Sequence, residues 1–149
     1  MIANKIIIFD FLRTVYDPEK LEFLEDAVLV LEKLKTKNIL ILYTSREGDA
    51  NREKNLEKLN LKKYFNQIVL VDKKKQEDLI KIFNQFNLAK EDILVVGDRI
   101  KSEIRLGNQT GFKTVWLKKG KYSTEEPEIK KEKPNFCIYG LKELLKLSL

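Results

Sequence analysis

The stretch KIIIFDFLRTVYD, residues 5–17, decides the fold, because its apolar run Ile6–Phe9 leads directly into the carboxylate of Asp10. Short apolar runs rich in β-branched residues are typical of strands that are buried on both faces of a parallel sheet. Four more runs of this kind follow along the chain, at residues 39–43, 68–71, 93–96 and 114–117. The sequence therefore predicts at least five buried strands.

Amphipathic segments separate these runs. Apolar residues recur at helical spacing in residues 24–34 and 79–86, and weaker helical patterns occupy residues 51–59 and 103–110. Strands that alternate with helices predict an α/β fold, with a doubly wound, Rossmann-like parallel sheet and helices on both of its faces. Residues 118–134 are polar and are predicted to form a surface connection. A strand is predicted at residues 136–139, and a closing helix with apolar positions up to Leu147 follows it.

The amino-acid composition limits the kinds of catalytic and metal site that the protein can have. The chain has 149 residues, which predicts one domain over 1–149, and it contains no histidine, which excludes Ser-His-Asp and Cys-His catalysis and every His-ligated metal site. Its one cysteine, Cys137, excludes an internal disulfide and predicts a cytoplasmic location. No segment approaches the ~18 apolar residues of a membrane span, so no membrane partner is expected. The net charge of +6 favours anionic partners in general.

Polar residues follow four of the predicted strands. They are Asp10 after the first strand, Thr44 and Ser45 after the second, Lys73, Lys74 and Lys75 after the third, and Gly97 and Asp98, with Glu103 beyond them, after the fourth. Each one alone is as well explained by a turn, a helix cap or a solvated surface. Because ligands of open α/β sheets bind outside the carboxyl ends of the strands, the joint pattern predicts a site for a hard cation and a phosphate.

With these motifs in place, the chain resembles the haloacid dehalogenase (HAD) superfamily of phosphohydrolases. "IIIFDFLRT" resembles the first motif of that family, an apolar run followed by DxDxT, at Asp10 and Thr14. "ILILYTS" resembles the second motif at Thr44, and Lys73 has the usual spacing of the third, with Lys74 and Lys75 close enough to compete. "ILVVGDRIKSE" resembles the fourth at Asp98, and "GNQTGFKTVWL" and "KPNFCIYGLKELL" extend the likeness over nearly the whole chain.

The resemblance implies a role for each residue. Asp10 would be the nucleophile that forms an aspartyl phosphate. Mg²⁺ would be held by Asp10, Asp98 and the backbone carbonyl of Leu12. Glu103 stands where an aspartate is usual, and it either reaches the metal or lies on a helix surface. Thr44 and Lys73 would hold the transferring oxygens, and Thr14 and Ser45 complete the expected phosphate-binding set.

The first motif departs from the family pattern at two positions. Leu12 replaces the aspartate that protonates the leaving group and activates water, so the resemblance implies slow turnover or a restriction to good leaving groups such as acyl or aryl phosphates. Arg13 replaces a small residue, and it either crowds the site, faces the phosphate or points to solvent. The spacing between the motifs leaves no room for the cap domain that many members carry.

Two functions remain open at this point. One is a Mg²⁺-dependent phosphatase of reduced or specialised activity, and the other is a catalytically degenerate member with a binding or regulatory role. The resemblance implies a phosphorylated substrate. Capless members commonly act on large substrates or take a lid from a neighbouring subunit, so it also implies either a macromolecular substrate or a homo-oligomer. Without an aromatic–basic repeat or a recognition helix, nucleic-acid binding is not favoured.

Overall fold

The computed structural model describes all 149 residues, and its centre is a six-stranded parallel sheet in the order β5-β4-β1-β6-β7-β8. From the central strand β1 the chain first adds strands on one side and then crosses back to add the others on the opposite side. This is the predicted doubly wound α/β architecture. The strands of the sheet are β1 Ile6–Phe9, β4 Ile39–Ser45, β5 Gln67–Val71, β6 Ile93–Gly97, β7 Lys113–Leu117 and β8 Phe136–Ile138.

The register of the central strands brings their carboxyl ends to one edge. Phe9, the last residue of β1, is paired with Leu42 of β4 and with Val96 of β6. Asp10 continues the ladder by donating its backbone N–H to the Val96 carbonyl at 3.0 Å. The direction of winding reverses between β1 and β6, and such a reversal opens a crevice at the carboxyl ends of the two strands.

Alternate residues of β1 face two separate apolar layers. Ile7 and Phe9 belong to a large cluster that includes Leu31 of the first helix, whereas Ile6 and Ile8 belong to a second cluster on the opposite face. All four side chains are fully buried, as the unbroken apolar run predicted. The strand β5 differs, because it pairs only with β4 at the edge of the sheet and its residues are only half-buried.

Helices cover both faces of the sheet. The first helix packs against the last helical segment on one face, and the third packs against the fourth on the other. The helices are α1 Ala27–Lys35, α2 Arg52–Glu57, α3 Gln76–Asn84 and α4 Arg105–Thr110, with a π-helical turn at Ile100–Ile104 and 3₁₀ segments at Leu61–Lys63, Lys90–Asp92, Gly120–Tyr122, Lys130–Glu132 and Leu141–Lys146.

Two helices depart from the apolar periodicity. The first begins at Ala27 rather than at Leu24, because Asp26 has a left-handed φ of 66° and the Leu24 N–H donates instead to the Val15 carbonyl. The predicted closing helix is a 3₁₀ segment over Leu141–Lys146. Its apolar residues Leu141 and Leu144 are nevertheless buried against the sheet, so the periodicity identified the buried face correctly.

A short antiparallel hairpin follows β1 and was not predicted. It joins β2 Tyr16–Asp17 to β3 Glu22–Phe23, and with α1 it fills the whole connection to β4. The connection from β4 to β5 contains α2 and one 3₁₀ turn. Neither connection contains a cap domain, as the spacing of the motifs predicted. None of the helices combines the length and the apolar character that crossing a bilayer requires.

Candidate active site

Three carboxylates meet at the carboxyl end of the sheet. Asp10 follows β1, Asp98 follows β6, and Glu103 lies on the π-helical turn beyond it. One oxygen from each group lies within 4.8 Å of the others, and all three residues are buried. The predicted convergence of Asp10 and Asp98 is thus present, and Glu103 faces this cluster instead of lying on a helix surface.

A glycine and an irregular turn bring Glu103 into the cluster. A Cβ atom added to Gly97 would come within 2.8 Å of both the Cβ and the Oε2 atoms of Glu103, so only glycine allows so close an approach at that position. The π-helical turn over Ile100–Ile104 widens the backbone just before α4, and such turns are frequent at functional sites. Together these features place Glu103 against the end of β6.

Lys74 is the cation that pairs with the cluster. Its Nζ atom lies 2.5 Å from Asp10 Oδ1 and 2.9 Å from Glu103 Oε1, and its side chain is only 11% exposed. The spacing of the motifs had favoured Lys73, which is exposed and forms no ion pair, although it lines the same cavity. Of the three lysines that the sequence left in competition, Lys74 is thus the one paired with the carboxylates, and the catalytic and phosphate-binding roles predicted for Lys73 stay predictions.

Tyr43 fixes the position of Lys74. The Lys74 ammonium lies 5.1 Å from the centre of the Tyr43 ring, in cation–π range. The Tyr43 hydroxyl donates to Asp78 Oδ2 at 2.5 Å, and the same Asp78 oxygen accepts the backbone N–H of Lys75 at 2.9 Å. Asp78 therefore holds the first turn of α3 against β4, and Lys74 precedes that turn directly.

The buried carboxylates perturb one another. Burial, together with the negative charges of Asp10 and Glu103, raises the pKa of Asp98 to about 9. Burial and the charge of Asp10 also raise the pKa of Glu103 above its ordinary value. Burial alone would lower the pKa of Lys74, but the charges of Asp10 and Glu103 raise it above its ordinary value, so this lysine is positively charged. One lysine does not balance three carboxylates.

The donor set fits a hard divalent cation. Asp98 Oδ2 and Glu103 Oε2 are buried and have no hydrogen-bond partner, which is costly unless a cation or a proton occupies the space between them. Carboxylate oxygens are the ligands that Mg²⁺ prefers, and Mg²⁺ commonly binds through few carboxylates together with water and phosphate oxygens. The residues Asp10, Asp98 and Glu103 are therefore suited to holding Mg²⁺.

A cavity of about 500 Å³ opens above the cluster. It is lined mainly by charged side chains, with more basic than acidic ones, and its apolar lining includes Leu12. The acidic lining consists of the three clustered carboxylates and Glu47, whereas the basic lining is Arg13, Arg52, Lys73, Lys74, Arg99, Lys101 and Arg105. An excess of cations around a carboxylate cluster is suited to an anionic ligand.

The predicted hydroxyl residues take different positions. Ser45 lines the cavity. Thr44 has no exposed surface, and its hydroxyl oxygen accepts a 2.6 Å hydrogen bond from Arg52. Thr14 is also fully buried and donates to Asp10 Oδ2 at 3.5 Å. The phosphate-binding roles predicted for Thr14, Thr44 and Ser45 stay predictions, and of the three only Ser45 lines the cavity.

Leu12 and Arg13 occupy the loop that follows Asp10. The Leu12 side chain packs on the main apolar cluster and also borders the cavity, so no acid stands at this position. Arg13 has a left-handed φ of 61°, and its backbone N–H donates to the Tyr16 carbonyl at 2.7 Å. Arg13 lines the cavity, which favours the second of the three alternatives for this residue, a cation that faces the bound ligand.

Sequence reasoning missed half of the residues that line the cavity, among them Arg52, Arg99 and Tyr122. Arg52 belongs to α2, where it also pairs with Asp49 at 3.0 Å, and its signal was a basic residue eight positions after Thr44. Arg99 follows Asp98 directly. Tyr122 lies in the segment 118–134, which was predicted to be only a surface connection. Nothing in the local sequence indicates that this segment returns to the carboxyl edge of the sheet.

The metal-free protein should lose stability as the pH rises. Because the pKa of Asp98 is about 9 in the folded chain and near its ordinary value in the unfolded chain, the folded form binds more protons between these values. The free energy of unfolding should therefore fall from about pH 4 to about pH 9. Urea denaturation in EDTA at a series of pH values measures this slope.

Asp98→Asn is the matched test of this slope. Asparagine has no proton to release on unfolding, so the variant should flatten the pH dependence and stabilise the metal-free protein at pH 8 by about 1 kcal/mol, or roughly 2–4 °C in Tm. Saturating Mg²⁺ should flatten the slope of the wild-type protein as well. Equal slopes for the wild type and the variant in EDTA would show that Asp98 does not cause the pH dependence of the free energy of unfolding.

Gly97→Ala should displace Glu103 and weaken Mg²⁺ binding. The added methyl group overlaps the Glu103 side chain, so we expect a loss of about 1–3 kcal/mol in the free energy of unfolding and a higher Kd for Mg²⁺. Gly140→Ala is the control, because a Cβ atom there meets nothing within 4 Å and the φ of −159° suits any residue. Calorimetric titration with Mg²⁺ measures the difference, and an unchanged Kd in Gly97→Ala would contradict the role of Glu103.

Known proteins share this fold and parts of this sequence. The HAD-hydrolase-like family model matches residues 73–144, which include Lys74, Asp98 and Glu103. Two relatives are glyceraldehyde 3-phosphate phosphatases. The one from Pyrococcus furiosus is 35% identical over 107 residues, 66% of this chain and 44% of the relative. The one from Methanopyrus kandleri is 30% identical over 93 residues, 59% of this chain and 40% of the relative. The matched part thus spans less than half of either relative.

The structural comparison extends over nearly the whole chain. The putative HAD-hydrolase YfnB from Bacillus subtilis, solved bound to magnesium, superimposes with a TM-score of 0.80 over 97% of this chain and 98% of its own, at 14% identity. A HAD-superfamily hydrolase of subfamily IA from Geobacter sulfurreducens superimposes with a TM-score of 0.72 over 98% of this chain and all of its own, at 16% identity. The doubly wound sheet is the fold of these HAD hydrolases, and the segment that matches the family model is just under half of the chain, so in fold and in this segment the chain is similar to the HAD-like hydrolases.

Proposed function

We propose that this protein is a Mg²⁺-dependent phosphohydrolase that uses Asp10 as its nucleophile. The observation that carries the proposal is the buried cluster of Asp10, Asp98 and Glu103, paired with Lys74 and open to a cavity rich in basic groups. The names of the curated relatives, both phosphatases, support a phosphorylated substrate. The identity of that substrate, a cytoplasmic location and a homo-oligomer stay predictions.

The proposed chemistry proceeds through two displacements at phosphorus. An Asp10 carboxylate oxygen attacks the phosphorus atom, and the bond to the leaving-group oxygen breaks, which leaves an aspartyl phosphate. Water then attacks that phosphorus, and the bond to the Asp10 oxygen breaks to release inorganic phosphate. Mg²⁺, held by Asp10, Asp98, Glu103 and the Leu12 carbonyl, would reduce the repulsion between carboxylate and phosphate when bound.

Cationic side chains would stabilise the phosphoryl group during both steps. Lys74 is positioned against Asp10, so its ammonium can offset negative charge that develops on the transferring oxygens. Arg52 lines the cavity and donates to the Thr44 hydroxyl and to the Ser45 carbonyl, so β4 fixes its guanidinium. We infer that Thr44 acts by orienting Arg52, while Ser45 and Arg52 face the ligand.

Leu12 restricts the leaving group. A leucine can neither donate a proton to a departing alkoxide nor take one from the attacking water. General acid–base catalysis is typically worth about 10²–10⁴ in rate, so esters of poorly acidic alcohols should react slowly. Acyl and aryl phosphates need no such proton, because their leaving groups are stable as anions. The same leucine favours the second candidate function, a degenerate protein that binds ligands without turnover.

Asp10→Asn should abolish hydrolysis. With Mg²⁺ present, wild-type protein should hydrolyse acetyl phosphate and 4-nitrophenyl phosphate, and the variant should not, because an amide is not a nucleophile at phosphorus. Phosphate release measures turnover, and Asp92→Asn is the matched control, since Asp92 pairs with Lys5 before β6, at the opposite end of the sheet. Equal turnover by wild type and Asp10→Asn would identify a contaminant. No turnover by wild type, with Mg²⁺ still bound, would support the binding protein instead.

Leu12→Asp should restore activity towards alkyl esters. The variant supplies the missing acid at the border of the cavity, so we expect a gain of about 10²-fold or more with glycerol phosphate and a much smaller change with acetyl phosphate. The comparison of kcat between the two substrates separates acid catalysis from a general effect on folding. If wild type hydrolyses glycerol phosphate as fast as Leu12→Asp does, the assignment of a missing acid at this position is wrong.

A further inference from the structure

Two arginines and a tyrosine form a basic rim on the cavity beside the carboxylate cluster. The Arg99 guanidinium lies 4.1 Å from the centre of the Tyr122 ring, and the Arg13 guanidinium lies 5.4 Å from the same centre. All three residues line the cavity together with Asp10. The rim, defined as Arg13, Arg99 and Tyr122, therefore has two guanidinium groups in cation–π range of one aromatic ring.

These two charges are poorly compensated within the protein. Arg13 forms no ion pair, and Arg99 has one acidic partner, Glu125, at 3.5 Å. The Nε–H of Arg99 is buried and has no hydrogen-bond partner. Arg52, Lys101 and Arg105, which line the same cavity, also have carboxylate partners, so Arg13 is the one cavity arginine without an ion pair. The rim thus offers guanidinium donors that the folded chain does not use.

The backbone at Arg13 is held in an uncommon conformation that keeps this side chain on the rim. Its φ of 61° is unfavourable for a residue with a Cβ atom. Two hydrogen bonds fix it there, from the Arg13 N–H to the Tyr16 carbonyl and from the Tyr16 N–H to the Phe11 carbonyl. The loop directly after Asp10 therefore presents a cation beside the reacting group.

We propose that Arg13 and Arg99 bind a second anionic group of the ligand, so that the substrates are small phosphates that also carry a carboxylate or a second phosphate. Guanidinium groups bind both anions through paired N–H donors. The inference rests on the proposed function, in which Asp10, Lys74 and the metal bind the phosphoryl group of a substrate. The rim lies beside those groups, and its arginines favour phosphate compounds that carry the second anionic group.

The test uses phosphonates, which bind without reacting. Phosphonoacetate carries a phosphonate and a carboxylate, and phosphonoacetamide has almost the same shape without the second charge. Calorimetric titration of the Mg²⁺-saturated protein should give about tenfold tighter binding of phosphonoacetate, as expected for one charge-assisted pair. Methylenediphosphonate, the second-phosphate probe, should also bind more tightly than phosphonoacetamide.

Arg13→Gln and Arg99→Gln should each reduce this preference to about twofold or less, with little change in the Kd of phosphonoacetamide. Arg46→Gln is the matched control, since Arg46 is exposed, pairs with Asp72 and does not line the cavity. The two arginines lie on different loops, so a folding defect in one variant leaves the other as the test.

The outcomes distinguish the rim from the proposed reaction. Equal binding of phosphonoacetate and phosphonoacetamide by the wild type, or a preference that both variants retain, would overturn the rim while leaving the phosphohydrolase intact. A preference for phosphonoacetate that depends on Arg13 and Arg99 supports the rim even if no substrate is turned over. Failure of both phosphonates to bind would overturn the rim together with the phosphate site.

Discussion

The close approach of three buried carboxyl groups is the constraint on which the site depends. Asp10, Asp98 and Glu103 come from three different segments, and only the parallel sheet keeps them within reach of one another. Lys74 offsets part of their charge and leaves one oxygen of Asp98 and one of Glu103 without a partner. A folded protein tolerates such an arrangement when the rest of the structure supplies the stability that the site lacks.

That stability comes from the apolar layers on the two faces of the sheet. Every residue of β1 is fully buried, so the strand that carries Asp10 is fixed by packing on both sides. Trp116 of β7 donates its indole N–H to the Asp98 carbonyl at 2.9 Å and packs with Ile100 and Ile104. The loop of the fourth motif is therefore anchored from the neighbouring strand, and its carboxylate is held where burial is unfavourable for it.

The surroundings of the carboxylate cluster divide into two regions with different chemistry. In one region hydrogen bonds hold the basic groups, with Arg52 donating to Thr44 of β4 and Lys74 donating to Asp10 and Glu103. Around Tyr122 the arginines are held mainly by the aromatic ring and keep unused donors. Under the two proposals, the first region would serve phosphoryl transfer and the second would select one class of ligand.

Leu12 lies between these regions, and its effect is chemical rather than architectural. Its side chain packs on the apolar core and its backbone follows the same loop, so exchanging an acid for leucine leaves the cation site intact. Under the proposed function, the loss would fall on proton transfer. Such a site would act on phosphoryl groups with good leaving groups, which is a narrower range of substrates than the fold itself would allow.

The sequence by itself determined the strands of the parallel sheet and the positions of Asp10 and Asp98 at the ends of two of them, because a β-branched apolar run that ends in a polar residue indicates both burial and the end of a strand. It did not determine which of three consecutive lysines enters the site, since a difference of one residue reverses the direction of a side chain. Nor could it show that Tyr122 returns to the cavity or that Arg52 covers Thr44. Such contacts join segments distant in the chain or on irregular backbone, and only the tertiary packing fixes them.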